Sequence, residues 1–171
     1  MSRGIVWKYG DDINTDVIFP GRHTYQIMTP DEMAQHALED LDPGFASKVK
    51  PGDVIVAGKN FGCGSSREQA AACLKAAGVQ AVVAKSFARI FFRNAINLGL
   101  ALLQSEEAAD RLEAGDPVDI ELAHGEIRSA RGTFRFKPLP ASVLGIIRAG
   151  GLIEYTKTKL EEDTIEGDKQ E

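Results

Sequence analysis

Cysteine is scarce in this sequence, which holds two, Cys63 and Cys73, among 171 residues. Two thiols do not make a disulfide framework. No paired spacing suited to zinc appears among them and His23, His36 and His124, so no metal site is expected on this chain. Basic charge is also short, with 20 Lys and Arg against 25 Asp and Glu and a formal net charge of −5. A nucleic-acid partner is therefore not expected, because affinity for a phosphate backbone rests on clustered Lys and Arg. No apolar run approaches the roughly 20 residues that span a bilayer, so no membrane role is expected. Met1-Ser2-Arg3-Gly4 leads straight into a strand-like alternation. That start gives no expectation of a signal peptide, and a cytoplasmic location follows as the default. Internal repeats and low-complexity tracts are lacking too. What remains is ordinary for a globular protein, at 43% hydrophobic and 26% charged.

The apolar residues are ordered with a regular rhythm. Ile5, Trp7 and Tyr9 alternate with Val6 and Lys8 as a first strand. A second apolar stretch, Val17-Ile18-Phe19, stops at Pro20-Gly21. Thr29, Pro30 and Glu32 make a capping box, predicting a helix whose apolar face runs through Met33, Ala34, Ala37, Leu38 and Leu41 to Asp42-Pro43-Gly44. Strands are expected at 54–57, 81–84 and 100–103. A helix from Ser66 to Ala77 closed by Gly78 follows the first, a helix capped by Ser86 and closed by Gly99 the second, and a helix capped by Ser105 the third. Alternation of this kind implies a parallel sheet with flanking helices. The pattern then changes to an added β-hairpin around His124-Gly125, a further strand near 133–137, and a helix from Pro140 to Gly150-Gly151. Residues 1–155 are expected as one α/β domain. Residues 156–171, charged and without aromatics, are expected as a loose, flexible tail.

One segment concentrates chemistry: Gly58-Lys59-Asn60-Phe61-Gly62-Cys63-Gly64-Ser65-Ser66-Arg67-Glu68-Gln69. Three glycines in seven positions, between a buried strand and a helix, let backbone N–H groups converge on an anion. Ser65 and Ser66 stand where hydroxyls face that anion, and Arg67 can fork onto a carboxylate with two parallel hydrogen bonds. The plainer alternative is that a serine only caps the helix and the glycines only turn the chain; it leaves Arg67, beside the positive end of the helix dipole, unexplained. Neither a P-loop nor a G-x-S-x-G elbow fits the string. Cys63 reads as a packing residue or a thiol activated by the helix N-terminus, and Cys73 reads as core. Arg89, Arg93 and Asn97 form a polar stripe, most simply a solvated helix face.

Asn60-Phe61-Gly62-Cys63-Gly64-Ser65-Ser66-Arg67-Glu68, followed by Ala84-Lys85-Ser86-Phe87-Ala88-Arg89-Ile90-Phe91, closely resembles the swivel domain of the aconitase superfamily. The Gly-Cys-Gly-Ser-Ser-Arg-Glu form, with Asp12-Ile13-Asn14-Thr15-Asp16-Val17-Ile18 and Pro20-Gly21-Arg22, is similar to the small subunits of 3-isopropylmalate dehydratase and homoaconitase. The resemblance covers about residues 4–155 and implies a single swivelling β/β/α domain of the aconitase C-terminal type. It implies that Ser65 is the base removing a proton alpha to a carboxylate, with Gly64, Ser66 and Arg67 binding substrate. It also implies that Arg22, His23, Thr24, Tyr25, Gln26, Ile27 and Met28 form a loop that reads the side group of a small hydroxy-dicarboxylic acid.

The activity so implied is a hydro-lyase of leucine biosynthesis, interconverting 2-isopropylmalate and 3-isopropylmalate by dehydration and rehydration, active only with a large subunit as heterodimer or heterotetramer. A 4Fe-4S cluster is expected on that partner and none on this chain. Cysteine count agrees independently, since a cluster with one open iron still needs at least three thiolates. A homoaconitase or other alkylmalate dehydratase (methylmalate or dimethylmalate type) is the alternative. The absence of arginine between His23 and Thr29 weighs against an extra carboxylate. A non-catalytic anion-binding module and a nucleic-acid regulator are the remaining readings, the second disfavoured by the acidic charge.

Overall fold

The computed structural model describes residues 3–167, with side chains described through residue 162. Seven strands form a sheet in the order β4-β3-β2-β1-β5-β6-β7. β1 (Gly4–Lys8), β2 (Val54–Ala57), β3 (Ala81–Ala84) and β4 (Ala101–Gln104) run parallel, with Val6 opposite Val54, Val54 opposite Ala81 and Ala81 opposite Ala101. β5 (Pro117–Glu121), β6 (Glu126–Ser129) and β7 (Gly132–Arg135) continue the sheet antiparallel from β1. This is the parallel core with an added hairpin that the alternation predicts.

Period-two alternation assigns each strand residue to a face. Ile55, Ala57, Val82, Ala84 and Leu102 bury against one cluster with Ala70, Leu74, Phe91 and Ala95. These last residues lie on α4 (Glu68–Ala76) and α5 (Arg89–Asn97). Val54, Val56, Ala81, Val83, Ala101 and Leu103 bury on the opposite face with Ala108, Ala109, Val118, Ile127 and Phe134. Both faces of the parallel part are covered, so its strands read as continuous apolar runs.

The helical segments depart from the sequence reading at several points. Val17 and Ile18 lie in a helical turn, α1 (Thr15–Ile18), because the Asn14 side chain accepts from the Val17 N–H at 2.9 Å. The capping box at Thr29 forms, but α2 (Pro30–Ala34) stops short of Leu41. Leu38 there adopts φ 56° and donates its N–H to the Ile18 carbonyl at 2.8 Å. Ala37 and Leu38 are buried by that turn, with no helix needed. Neither Ser66 nor Ser86 caps a helix, since α4 has Arg67 at its N-cap position and α5 has Ala88. Ser105 does cap α6 (Glu106–Arg111), which ends before Gly115. α3 (Phe45–Lys48) precedes β2, and α7 (Ala141–Ala149) ends at Gly150 as predicted. The segment from Thr156, expected as loose, continues α8 (Leu152–Gly167) as far as Gly167, and residues 168–171 lie outside the described residues. Lys157 pairs with Glu154 and Thr158 donates to the Glu154 carbonyl, the spacing at which helix neighbours meet.

Gly62 is the tightest point under the site-bearing loop. Its φ is 82°, and a Cβ there would lie 2.2 Å from the Phe91 ring. Gly62→Ala is expected to lower unfolding stability by roughly 2–4 kcal/mol, from overpacking plus a left-handed backbone. Urea denaturation measures it, and a change indistinguishable from zero contradicts the packing described.

Candidate functional site

The loop after β2 extends the sheet beyond its strands. On one flank Asp12 N–H donates to Lys59 O (2.8 Å), Gly62 N–H to Ile13 O (2.7 Å) and Thr15 N–H to Cys63 O (2.8 Å). On the other, Phe61 N–H donates to Ser86 O (3.0 Å) and Ala88 N–H to Phe61 O (2.9 Å). The Ser86 hydroxyl accepts from the Asn60 N–H at 2.8 Å, which is its role in place of a helix cap. Phe61 is buried and meets Phe87 and Phe91 edge-on, pinning the loop to the core. The site thus sits off the carboxyl ends of β1, β2 and β3, where open parallel sheets bind ligands.

Beyond this clamp the chain opens outward. Gly64, Ser65 and Ser66 are exposed. The Ser65 hydroxyl lies 3.1 Å from the Thr15 hydroxyl, and Thr15 itself is buried at 1% exposure. Gly64 has φ 101°, and a Cβ on it would come 3.2 Å from the Thr15 hydroxyl. No side chain caps α4, so the plainer reading of the serines as caps fails, and the N–H groups of the first turn face the loop mouth. The Arg67 guanidinium is partly buried, ion-paired to Asp16, and donates to Phe19 O at 3.5 Å. A guanidinium has five donors, so these contacts leave it capacity for a carboxylate.

Sequence reasoning placed Gly64, Ser65, Ser66 and Arg67 together, and the fold does so. It missed Thr15 and Asp16, which hold Ser65 and Arg67. Their signal was present in Asn14-Thr15-Asp16, but nothing local says that this triplet folds onto residues about fifty positions later. Cys63 is half-buried, and burial followed by the negative Asp12 pushes its thiol above the ordinary value, which removes the activated-thiol reading. Cys73 is fully buried and its thiol donates to the Ala70 carbonyl at 3.3 Å. One half-buried thiol and one core thiol are not a ligand set for an iron–sulfur cluster. Arg89, Arg93 and Asn97 are exposed, as a solvated face requires.

The loop expected to read the side group begins in the 3₁₀ turn Gly21–His23, against the Arg67 guanidinium, and leans on α4, where Gln69 donates to Thr24 O at 3.5 Å. Its members divide. Arg22 is committed to Asp40 through two 2.9 Å hydrogen bonds and to Glu39 at 3.0 Å. His23 packs on His36 and Phe19, and Met28 packs against the core. Gln26 donates to Arg22 O, while Tyr25 and Ile27 are fully exposed apolar side chains.

Comparison with known proteins follows the same lines. The domain is of the aconitase C-terminal type, whose family model matches residues 21–108, the span that holds this loop. The 3-isopropylmalate dehydratase small subunit of Caldicellulosiruptor bescii is 53% identical over 163 residues, covering 94% of this chain and 98% of that one. Small subunit 2 of the same enzyme from Archaeoglobus fulgidus is 51% identical over 156 residues, covering 90% and 93%. The crystal structure of 3-isopropylmalate dehydratase from Methanocaldococcus jannaschii superposes with a TM-score of 0.89 at 43% identity, covering 96% of this chain and 98% of that one. The chain belongs to the 3-isopropylmalate dehydratase small-subunit family, within the aconitase C-terminal domain family.

Partial burial opposes ionisation of Glu39, but hydrogen bonds from His36, Arg22 and His23 outweigh it and hold the carboxyl below its ordinary value. A depressed carboxyl stabilises the fold above its unfolded pKa, and that contribution is lost as pH falls through the lower folded value. Amide-exchange protection of residues 21–28 should therefore decline through that acid range in the native chain. In Glu39→Gln this step should be absent; an unchanged step in the variant contradicts the assignment.

Proposed function

We propose that this chain is the serine-donating small subunit of a heteromeric hydro-lyase that interconverts 2-isopropylmalate and 3-isopropylmalate by dehydration and rehydration, in leucine biosynthesis. One observation carries the residue roles: an exposed Ser65 hydroxyl at the mouth of an uncapped helix, with Thr15 behind it and Arg67 beside it.

A serine hydroxyl is a weak base, so its alkoxide needs stabilisation. The first-turn N–H groups of α4 and the Arg67 charge supply it, and the buried Thr15 hydroxyl donates to the oxyanion once Ser65 has lost its proton. Arg67 and Ser66 bind a substrate carboxylate, placing the adjacent carbon's proton toward Ser65. Moving that proton to Ser65 leaves electrons that form the alkene as the neighbouring hydroxyl departs as hydroxide, giving an unsaturated diacid, and the proton and hydroxide together make up the water lost. Return of water in the opposite sense shifts the hydroxyl to the other carbon. The acid that takes the hydroxyl is not among this chain's residues; a 4Fe-4S cluster on the large subunit is the proposed source of that Lewis acidity. Asp16 holds Arg67 in place.

The exposed Tyr25 and Ile27 give the loop an apolar tip. That tip suits a branched alkyl group, and Arg22, spent on Asp40 and Glu39, does not offer a charge for a third carboxylate. The proposed assembly is a heterodimer or heterotetramer with the cluster-bearing large subunit, in the cytoplasm. Among the described residues no helix is long and apolar enough to cross a membrane.

In enzyme reconstituted with a large subunit, Ser65→Ala should lower kcat roughly 10²–10⁴-fold with KM little changed. Arg67→Lys should raise KM roughly 10- to 100-fold, since a point charge replaces a fork. Native turnover by Ser65→Ala ends the base assignment. Thr15→Val should move the rising, low-pH limb of kcat to higher pH and lower the rate at neutral pH, with Thr15→Ser restoring both. A native profile in Thr15→Val removes Thr15 from the account while leaving the Ser65 result standing.

A further inference from the structure

Away from Ser65, a histidine of the 3₁₀ turn Gly21–His23 meets a histidine and a glutamate of the turn at 36–39. His23 Nε2 lies 3.1 Å and His36 Nδ1 2.8 Å from the same oxygen, Glu39 Oε2. Among the described residues, one ligand atom from each of His23, His36 and Glu39 falls within 4.8 Å of the others. Both imidazole nitrogens therefore converge on one carboxylate oxygen. The rings stack 3.8 Å apart at 26°, and a tilt of the partly exposed His36 ring brings its nitrogen onto an ion shared with His23.

We propose that His23 Nε2, His36 Nδ1 and Glu39 Oε2 form a site for a divalent transition-metal ion of the zinc type. Two imidazoles and one carboxylate are a donor set that zinc takes, with the fourth position left to water. The three side chains are partly exposed, at 13%, 28% and 35%, so an ion and its water have access. Arg22 contacts Oε1, the opposite oxygen of Glu39, and so occupies a supporting position outside the coordination shell. Its positive charge is offset by Asp40, which it grips with two hydrogen bonds. Metal binding needs both imidazoles neutral, with a free lone pair on each ligating nitrogen, so the site weakens in acid. The sequence gives no hint of it, because His23 lies thirteen residues before His36 and the turn at Leu38 that closes the gap is invisible locally. Since His23 begins the loop over residues 22–28, the ion staples that loop to the turn at 36–39.

The test titrates zinc chloride into the metal-free, full-length chain carrying Cys63→Ser, which removes the half-exposed thiol as a competing ligand. Calorimetry should show one saturable site in the micromolar range or tighter, and amide exchange of residues 21–28 should slow on saturation. His36→Asn and Glu39→Gln should each weaken binding roughly 10- to 100-fold or more. Circular dichroism identifies any variant that fails to fold. Cobalt(II) added to the unsubstituted ligand set should give visible d–d bands, a readout independent of the variants. No saturation up to millimolar zinc, undiminished binding in the folded variants, or cobalt spectra of the free aqueous ion each overturn the site.

Discussion

Residues 58–63 are gripped on both flanks by backbone hydrogen bonds, from 10–15 on one side and 85–88 on the other. The glycine-rich loop is thereby a continuation of the parallel sheet, with Phe61 buried beneath it as a peg. Rigid placement matters because the loop's output is electrostatic. Amide dipoles and a guanidinium stabilise an anion well only when they are aimed before the charge appears. The same strand extension that carries Asp12 and Ile13 delivers Thr15 to Ser65 and Asp16 to Arg67, so clamp and chemistry are one arrangement.

The consequence is a half-site. Ser65 and Ser66 are exposed at the sheet edge, and the side chains proposed to bind an anion stand on an open surface. The loop from Arg22 to Met28 begins against Arg67, with Arg22 and His23 committed to the turn at 36–40 and its apolar tip exposed. In the proposed enzyme, a partner that brings the remaining chemistry would close over this edge, so that a small subunit is indispensable to turnover and inert alone.

Much of this was legible in sequence because the informative features were local. The apolar runs at 54–57, 81–84 and 100–103 fixed the parallel core, since strands buried on both faces leave no other composition. Glycine spacing with Ser65, Ser66 and Arg67 marked the loop proposed to bind an anion. The failures share a cause. Leu38 breaks α2 by turning left-handed to bond Ile18, Ser86 gives up its cap to hold Asn60, and Thr15 meets Ser65 across the fold. Each depends on a partner far away in the chain, which periodicity and capping rules do not see. Resemblance to a known family supplied the chemistry that composition and spacing alone left as an anion site.

The central claim is that the loop edge, clamped from both sides, presents Ser65 and Arg67 to a bound diacid. A crystal structure of the reconstituted two-chain enzyme with a dicarboxylate analogue tests it most directly. The account predicts a carboxylate forked by Arg67 while Asp16 stays paired, and the acidic carbon within contact of the Ser65 hydroxyl. A ligand seated elsewhere, or an assembly in which residues 64–67 point to bulk solvent away from the partner, contradicts it.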